Sequence, residues 1–334
     1  MKVSIIIPVY NVSDYIERCI KSVMNQTYSD IECIIVDDAT PDDSIDKCEK
    51  MIDAYCGPIV FSILHHQQNR GLSAARNTGT DATTGEYIYY LDSDDEITPD
   101  CIEKLLQPIQ DNPSLELVQG VHLNECEGCE YIFHKQNRPI KISCSKEVYK
   151  EYYKTQNLWF SAWNKLIKRS LVVEHKIYFT EGIIHEDLLW MFYVLKQLKN
   201  AYLRTDVTYI YHIRPNSITT KPRGRLLGSS FQTIYQTVFK SLTPGMESME
   251  LKGYLYRFCR LYCLYSDEIP DYKSIMDLYR KQAKRLGCWY VYSILTLVGF
   301  MCKFGNPLGG LRVIHLMKWE MAKVPEKLSF VLSK

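Results

Sequence analysis

Asp92-Ser93-Asp94-Asp95 sets three carboxylates in a row of four residues, directly after the apolar run Glu86–Leu91 (EYIYYL). Carboxylates one residue apart at the end of a buried strand can converge on a hard divalent cation. Mg2+ or Mn2+ prefers oxygen ligands and usually takes only one or two carboxylates, with substrate phosphates completing the shell. Asp37-Asp38 ends a second apolar run in the same way. Such a pair can open the helix that follows, or accept hydrogen bonds from a nucleobase N–H or ribose hydroxyls. The stretch from Asn69-Arg70-Gly71 to Ala75-Arg76-Asn77 reads as a helix opened by glycine and carrying arginine. A helix start and a guanidinium both favour phosphate, although an ordinary loop–helix junction reads the same. Glu186-Asp187 supplies a further acidic pair far along the chain. A carboxylate with access to a substrate hydroxyl can serve as a general base. His212 and Arg214 follow another strand-like segment, where they could meet a pyrophosphate or a metal.

The elements that must position these residues are legible from periodicity. Val3–Val9 (VSIIIPV), Ile31–Val36 (IECIIV), Val60–His65 and Glu86–Leu91 read as buried strands. Ser13–Asn25, with Ser13 as N-cap, Asp42–Tyr55 and Leu72–Ala82 read as helices between them. Strand and helix alternate four times, which predicts a mainly parallel sheet with helices on both faces. Ligands of such sheets bind at the carboxyl ends of strands, where Tyr10, Asp37-Asp38 and the Asp92–Asp95 cluster stand. Pro99–Gln110 reads as a helix, residues 113–145 as strands with a hairpin, 146–200 as helices rich in Trp and Tyr, and Tyr202–His212 as a strand. From about residue 225 the spacing of Leu, Tyr and Phe is helical.

Composition bounds the rest. The 334 residues are 46% hydrophobic, which suffices for a core and excludes global disorder. A net charge of +1 excludes a globally basic nucleic-acid binder. Residues 1–220 carry 22 Lys+Arg against 31 Asp+Glu, whereas residues 221–334 carry 18 against 8. An acidic first part and a basic tail suggest two jobs, metal binding and contact with an anionic surface. The uncharged segment Cys288–Cys302 is too short for a spanning helix. A buried core helix and an in-plane membrane helix flanked by Lys281, Lys284, Arg285, Lys303 and Arg312 both fit it. No secretory signal is seen at Met1-Lys2-Val3, so a cytoplasmic location with reduced thiols is expected, peripheral at the inner membrane face if the tail binds there. Cys126-Glu127-Gly128-Cys129 is a lone CxxC without the second pair of ligands that structural zinc needs, and reads as loop cysteines.

Taken in order, Ser4-Ile5-Ile6-Ile7-Pro8-Val9-Tyr10-Asn11, Val36-Asp37-Asp38, Asn69-Arg70-Gly71, Ala75-Arg76-Asn77, Asp92-Ser93-Asp94-Asp95 and Glu186-Asp187 resemble the family 2 glycosyltransferases of the GT-A fold. The resemblance covers roughly residues 1–220 and implies a catalytic domain there, with residues 221–334 a basic, mainly helical C-terminal region. It implies a UDP-sugar donor. Pro8 and Tyr10 would cradle the uracil, Asp38 would contact the base and Asp92 with Ser93 the ribose. Asp94 would bind the metal, Mn2+ or Mg2+, and Arg76 the nucleotide-sugar. Asp187 would be the base for an inverting displacement. Trp163-Asn164-Lys165 resembles a segment before the base in many relatives that would line the acceptor site, and Glu186 would belong there too. His212 and Arg214 would help hold phosphate. The acceptor would be a glycan or a lipid-linked species of cell-surface polysaccharide synthesis.

A Rossmann dehydrogenase shares the strand–helix alternation, but no GxGxxG follows the first strand. A nucleotidyltransferase would need an early Gly-rich loop with lysine, which the chain lacks. A non-catalytic nucleotide-sugar binder would retain the donor residues yet show no turnover.

Overall fold

The computed structural model describes residues 1–126, 129–132, 137–213 and 224–241, with single residues 277, 280, 281 and 284 beyond them. The segment 288–302, Arg214 and the centre of the CxxC lie outside the described residues.

The chain forms two compact units. The first holds residues 1–148, 157–182 and 186–221. It opens with β1 (Val3–Val9), α1 (Ile16–Met24), β2 (Ile31–Asp37), α2 (Ser44–Asp53), β3 (Val60–His65), α3 (Leu72–Ala82) and β4 (Tyr87–Tyr90). Every residue of β1 is buried, Ser4 and Pro8 along with the five Val and Ile side chains, as in a strand covered on both faces. β3, β2, β1 and β4 lie side by side and all parallel. Ile5, Ile7 and Ile35 from the sheet meet Ile16 and Ile20 from α1 in one buried cluster. Each such side chain contributes about 2 kcal/mol of hydrophobic stabilisation. On the other face α3 lies tight against the sheet. A Cβ on Gly79 would come within 2.4 Å of Ile6, so only glycine lets the helix approach this closely.

The sheet continues through β5 (Glu96–Ile97), β6 (Leu117–Cys126), β7 (Cys129–Ile132), β8 (Ile140–Ile142), β9 (Lys165–Lys168) and β10 (Ala201–His212). Helices α4 (Cys101–Asp111), α5 (Ser145–Tyr149), α6 (Arg169–Glu174) and α7 (Glu186–Gln197) connect them. Here the expectation of a mainly parallel sheet holds only in part. β9 runs antiparallel to both β4 and β6, and β5 and β8 run antiparallel to β10. β9 is itself a correction, since residues 146–200 read as helices. Its ends are lysines, which mask the strand pattern of Leu166 and Ile167. Ser13 is a second correction. α1 begins after Tyr15 with no side-chain cap, and the Ser13 N–H instead donates to Asp42 at 2.8 Å. A third concerns the thiols: Cys126 is disulfide-bonded, whereas Cys19, Cys33, Cys48, Cys56, Cys101 and Cys144 are free.

The second unit comprises residues 149–156, 183–185 and 222 onward. Its described part includes the π-turn Lys150–Lys154 and α8 (Gly224–Lys240). The Ile184 N–H donates to Ser230 Oγ at 3.0 Å and His185 stacks on Phe231, which fixes the turn 183–185 on α8. Among the described residues no helix is long and apolar enough to cross a membrane.

Candidate active site

Parallel register brings three strand ends to one edge. Val9 pairs with Asp37, Ile6 pairs with Tyr90, and the Leu91 N–H donates to Ile6. Tyr10, Asp38 and Asp92 therefore leave the sheet side by side. Pro8 is buried within β1, and Tyr10 beyond it is exposed.

Asp38 is 2% exposed and holds the next loop. Its carboxylate accepts the backbone N–H of Arg70 at 2.8 Å and of Gly71 at 2.7 Å, and lies 2.7 Å from His66 Nδ1. Gly71, with φ +90°, turns that loop into α3, a backbone geometry that favours glycine. Asp38 thus sets where α3 begins.

Arg76, one turn into α3, is 1% exposed. Nη2 donates to Asp92 at 2.7 Å, and Nη1 donates to Glu186 at 2.7 Å and Asp187 at 2.9 Å. Its guanidinium lies 5.1 Å over the Phe179 ring. The next residue, Asn77, grips the backbone of Phe179 in both directions, donating to its carbonyl at 2.9 Å and accepting its N–H at 2.8 Å. Phe179 stacks on Trp190 and meets Tyr90 edge-on, so the floor under Arg76 is rigid. Burial works against the charge on Arg76, but Asp187, Asp92 and Glu186 outweigh it and hold the group protonated. Arg76 is thereby placed on carboxylates rather than open to a phosphate. Glu186 is buried against it, and burial, reinforced by Asp187, raises its pKa although Arg76 opposes the rise. Burial likewise raises Asp92; Arg76 opposes, and Asp94 and Asp187 add to the rise.

The acidic loop is held from both sides. Arg18 Nη2 donates to the Asp94 carbonyl at 2.6 Å, and the Cys19 thiol faces the Asp92 carbonyl. Asp95 is buried and bonded to β10. It accepts the Tyr209 hydroxyl at 2.6 Å and the His212 N–H at 2.9 Å. Burial, with Asp94 and Asp92 beside it, pushes its carboxyl well above the usual range. Ser93 is buried in the same turn. The His212 ring lies between Glu96, at 2.8 Å, and Glu125, at 3.3 Å.

Trp163 stacks on Tyr209 and Tyr211 and meets His122 edge-on. Asn164 is buried with φ +59°, accepts the Thr208 hydroxyl at 2.6 Å, and has no partner among the described residues for its buried Nδ2. Among the described residues no three His, Cys, Asp or Glu side chains form a ready-made metal cage. The candidate cation ligands are the oxygens of Asp92 and Asp94.

The model of the family described as Glycosyl transferase family 2 matches residues 4–174. The chain belongs to that family. It is 33% identical to the uncharacterized glycosyltransferase EpsJ of Bacillus subtilis (strain 168) over 238 residues, 70% of this chain and 67% of EpsJ. The crystal structure of S. aureus TarS 1-349 in complex with UDP-GlcNAc superposes with a TM-score of 0.69 at 16% identity, covering 96% of this chain and 92% of that one. A mannosyltransferase of Pyrobaculum calidifontis, in complex with GDP-Man and Mn2+, gives 0.57 at 14% identity, over 94% and 86%. These likenesses establish the GT-A fold of this family 2 glycosyltransferase.

Within that fold the structure adds features that sequence reasoning did not foresee. Lys165 is 1% exposed, and its ammonium donates to the Ser161 carbonyl at 2.6 Å. Burial lowers its pKa to about 7 against the pull of Asp187. A lone lysine in a strand carries no local signal of burial. Phe179 and Tyr209 act through Arg76 and Asp95, and only the fold reveals those pairings.

Proposed function

We propose that this glycosyltransferase moves a sugar from a UDP-sugar to a hydroxyl of a glycan or lipid-linked acceptor in cell-surface polysaccharide synthesis, inverting the anomeric centre. One observation carries the reading. A single buried guanidinium joins Asp92, from the end of β4, to Glu186 and Asp187, at the start of α7. The acid on the donor side and the candidate base are therefore neighbours, as a single displacement between donor and acceptor requires.

In that displacement Asp187 accepts the proton of the acceptor hydroxyl. The oxygen bonds to the anomeric carbon as the bond to UDP breaks on the opposite face. Tyr10 meets the uracil, Asp38 contacts the base by giving up one of its bonds to the Arg70 N–H, the Gly71 N–H or His66, and Asp92 with Ser93 meets the ribose. Trp163 offers an aromatic face to the acceptor. Asp94, with Asp92 beside it, would hold Mn2+ or Mg2+, which supplies Lewis-acid neutralisation of charge on the leaving diphosphate. The donor set suits such an ion. It is all oxygen, and Asp92, Glu186 and Asp187 share one guanidinium, which leaves carboxylates in excess of cations beside Asp94. TarS, crystallised with UDP-GlcNAc, favours UDP within this fold; the P. calidifontis enzyme, with GDP-Man, is the competing precedent.

Melting with UDP-, GDP- and CMP-sugars, with and without Mn2+, tests the reading. A ligand at about 100 times its Kd stabilises by about 2.7 kcal/mol. The expected outcome is an Mn2+-dependent shift with UDP-sugars alone, lost in Asp94→Ala. No shift with any donor would sink it. The basic C-terminal region is proposed to hold the enzyme at the inner face of the cytoplasmic membrane. Recovery of all the protein in the soluble fraction without detergent would reject that part alone.

A further inference from the structure

The strongest unexplained feature is Arg76 itself. Its side chain is sealed from solvent, and both Nη atoms are committed to carboxylates, so a phosphate finds no free donor fork there. Its Nε is buried with no hydrogen-bond partner among the described residues. An arginine that were only structural filler would not need three carboxylates from two distant segments. We infer that Arg76 is a positioning residue: its planar fork sets the angle and separation of Asp187 relative to Asp92, so that proton acceptance and departure of the donor occur in register. The inference rests on the reading of Asp187 as base.

The geometry gives the reason for arginine. One Nη meets both members of the Glu186-Asp187 pair, and the other reaches Asp92. A guanidinium is flat and rigid, so fixing one end fixes the other. Phe179 beneath it, gripped by Asn77, prevents the plane from tilting. Lysine would retain the charge but not the fork. Glycine at 79 lets α3 lie close enough to the sheet for the side chain to reach its partners.

The test uses the full chain with Mn2+ and the UDP-sugar that gives the largest melting shift, reading release of UDP to water. Arg76→Lys and Arg76→Met are compared with Asp187→Asn and with the double variant Arg76→Met/Asp187→Asn. Arg76→Lys keeps the buried charge, which guards against a loss of folding. The expected result is a fall in kcat of about 100-fold for Arg76→Lys, the scale of a small misplacement of a catalytic group, with KM for the donor and UDP binding by calorimetry changed less than about threefold. Adding Arg76→Met to Asp187→Asn should cost little more than Asp187→Asn alone, because both remove the same function. Wild-type kcat in folded Arg76→Lys, or fully multiplicative losses in the double variant, overturns the inference while Asp187 stands. A rise in donor KM with kcat intact also overturns it, since that marks a donor-binding arginine. Wild-type turnover in Asp187→Asn removes the base and the inference together.

Discussion

Buried carboxylates stand at both ends of the parallel strands, in opposite electrostatic states. At the amino end Glu32 accepts the hydroxyls of Ser4 and Thr84, the backbone N–H groups of Thr84 and Gly85, and the Lys2 ammonium at 2.6 Å. Burial alone would raise its pKa, but Lys2, Ser4 and Thr84 outweigh it and hold the group at about 2. At the carboxyl end Asp92, Glu186 and Asp187 share one guanidinium; burial shifts both Asp92 and Glu186 upward, the neighbouring carboxylates add to the rise, and Arg76 does not offset it. The first carboxylate has more donors than it needs. The second group has too few. A folding site saturates its charge, whereas a site that awaits a cationic ligand and a proton leaves negative charge in excess.

The contrast can be broken first at Asp187. Asp187→Asn should lower turnover by about 1,000-fold, within the range of a lost general base, while UDP binding by calorimetry stays intact. Loss of UDP binding with the loss of turnover would move Asp187 to the donor side. Next in size is Glu32→Ala. It removes the acceptor of the Ser4 and Thr84 hydroxyls and of the Thr84 N–H, while the Gly85 N–H keeps Ser4 Oγ at 2.9 Å, and should cost about 2–3 kcal/mol in urea unfolding. Its turnover when folded should equal that of the wild type. The pH dependence follows from the lowered pKa. The Glu32 contribution is complete above the unfolded value near pH 4.5 and is lost as pH falls toward 2, so wild-type stability should decline across that window more steeply than that of Glu32→Ala. Parallel curves would mean that Glu32 carries no such linkage.

How far the sequence showed this contrast depends on the range of each interaction. The parallel half was legible because VSIIIPV, IECIIV and EYIYYL are dominated by apolar side chains without alternation, as a strand buried on both faces demands, with Ser4, Glu32 and Glu86 the polar exceptions. The later strands were less so. β9 is framed by Lys165 and Lys168, and β5 is only two residues, so neither shows a period. The acids of the site stood out by type and by their place after strands. Their partners did not. Arg76 and Asp187 are 111 positions apart, and nothing local in Ala75-Arg76-Asn77 says that the guanidinium meets acids and not phosphate. Asp95 looked like one more ligand in an acidic run, yet Tyr209 and His212 tie it into the frame. Long-range charge pairing is decided by topology, and topology was the least visible layer.

A smaller effect sharpens the comparison by separating stability from activity within one cluster. Glu186→Gln keeps an oxygen that accepts from Arg76 but removes one of the crowded charges. The folded pKa of Glu186 is raised, so its ionisation costs stability once pH exceeds the unfolded value near 4.5, and the cost grows until the folded group ionises as well. In EDTA, Glu186→Gln should therefore be more stable than wild type at pH 8, by of order 1 kcal/mol, and no different at pH 4. The same substitution at the other end, Glu32→Gln, should destabilise at pH 8, because a carboxylate held by five donors loses more than a crowded one. If both substitutions change stability in the same direction at pH 8, the two ends differ in sequence but not in physics, and the excess negative charge at the carboxyl end is no mark of function.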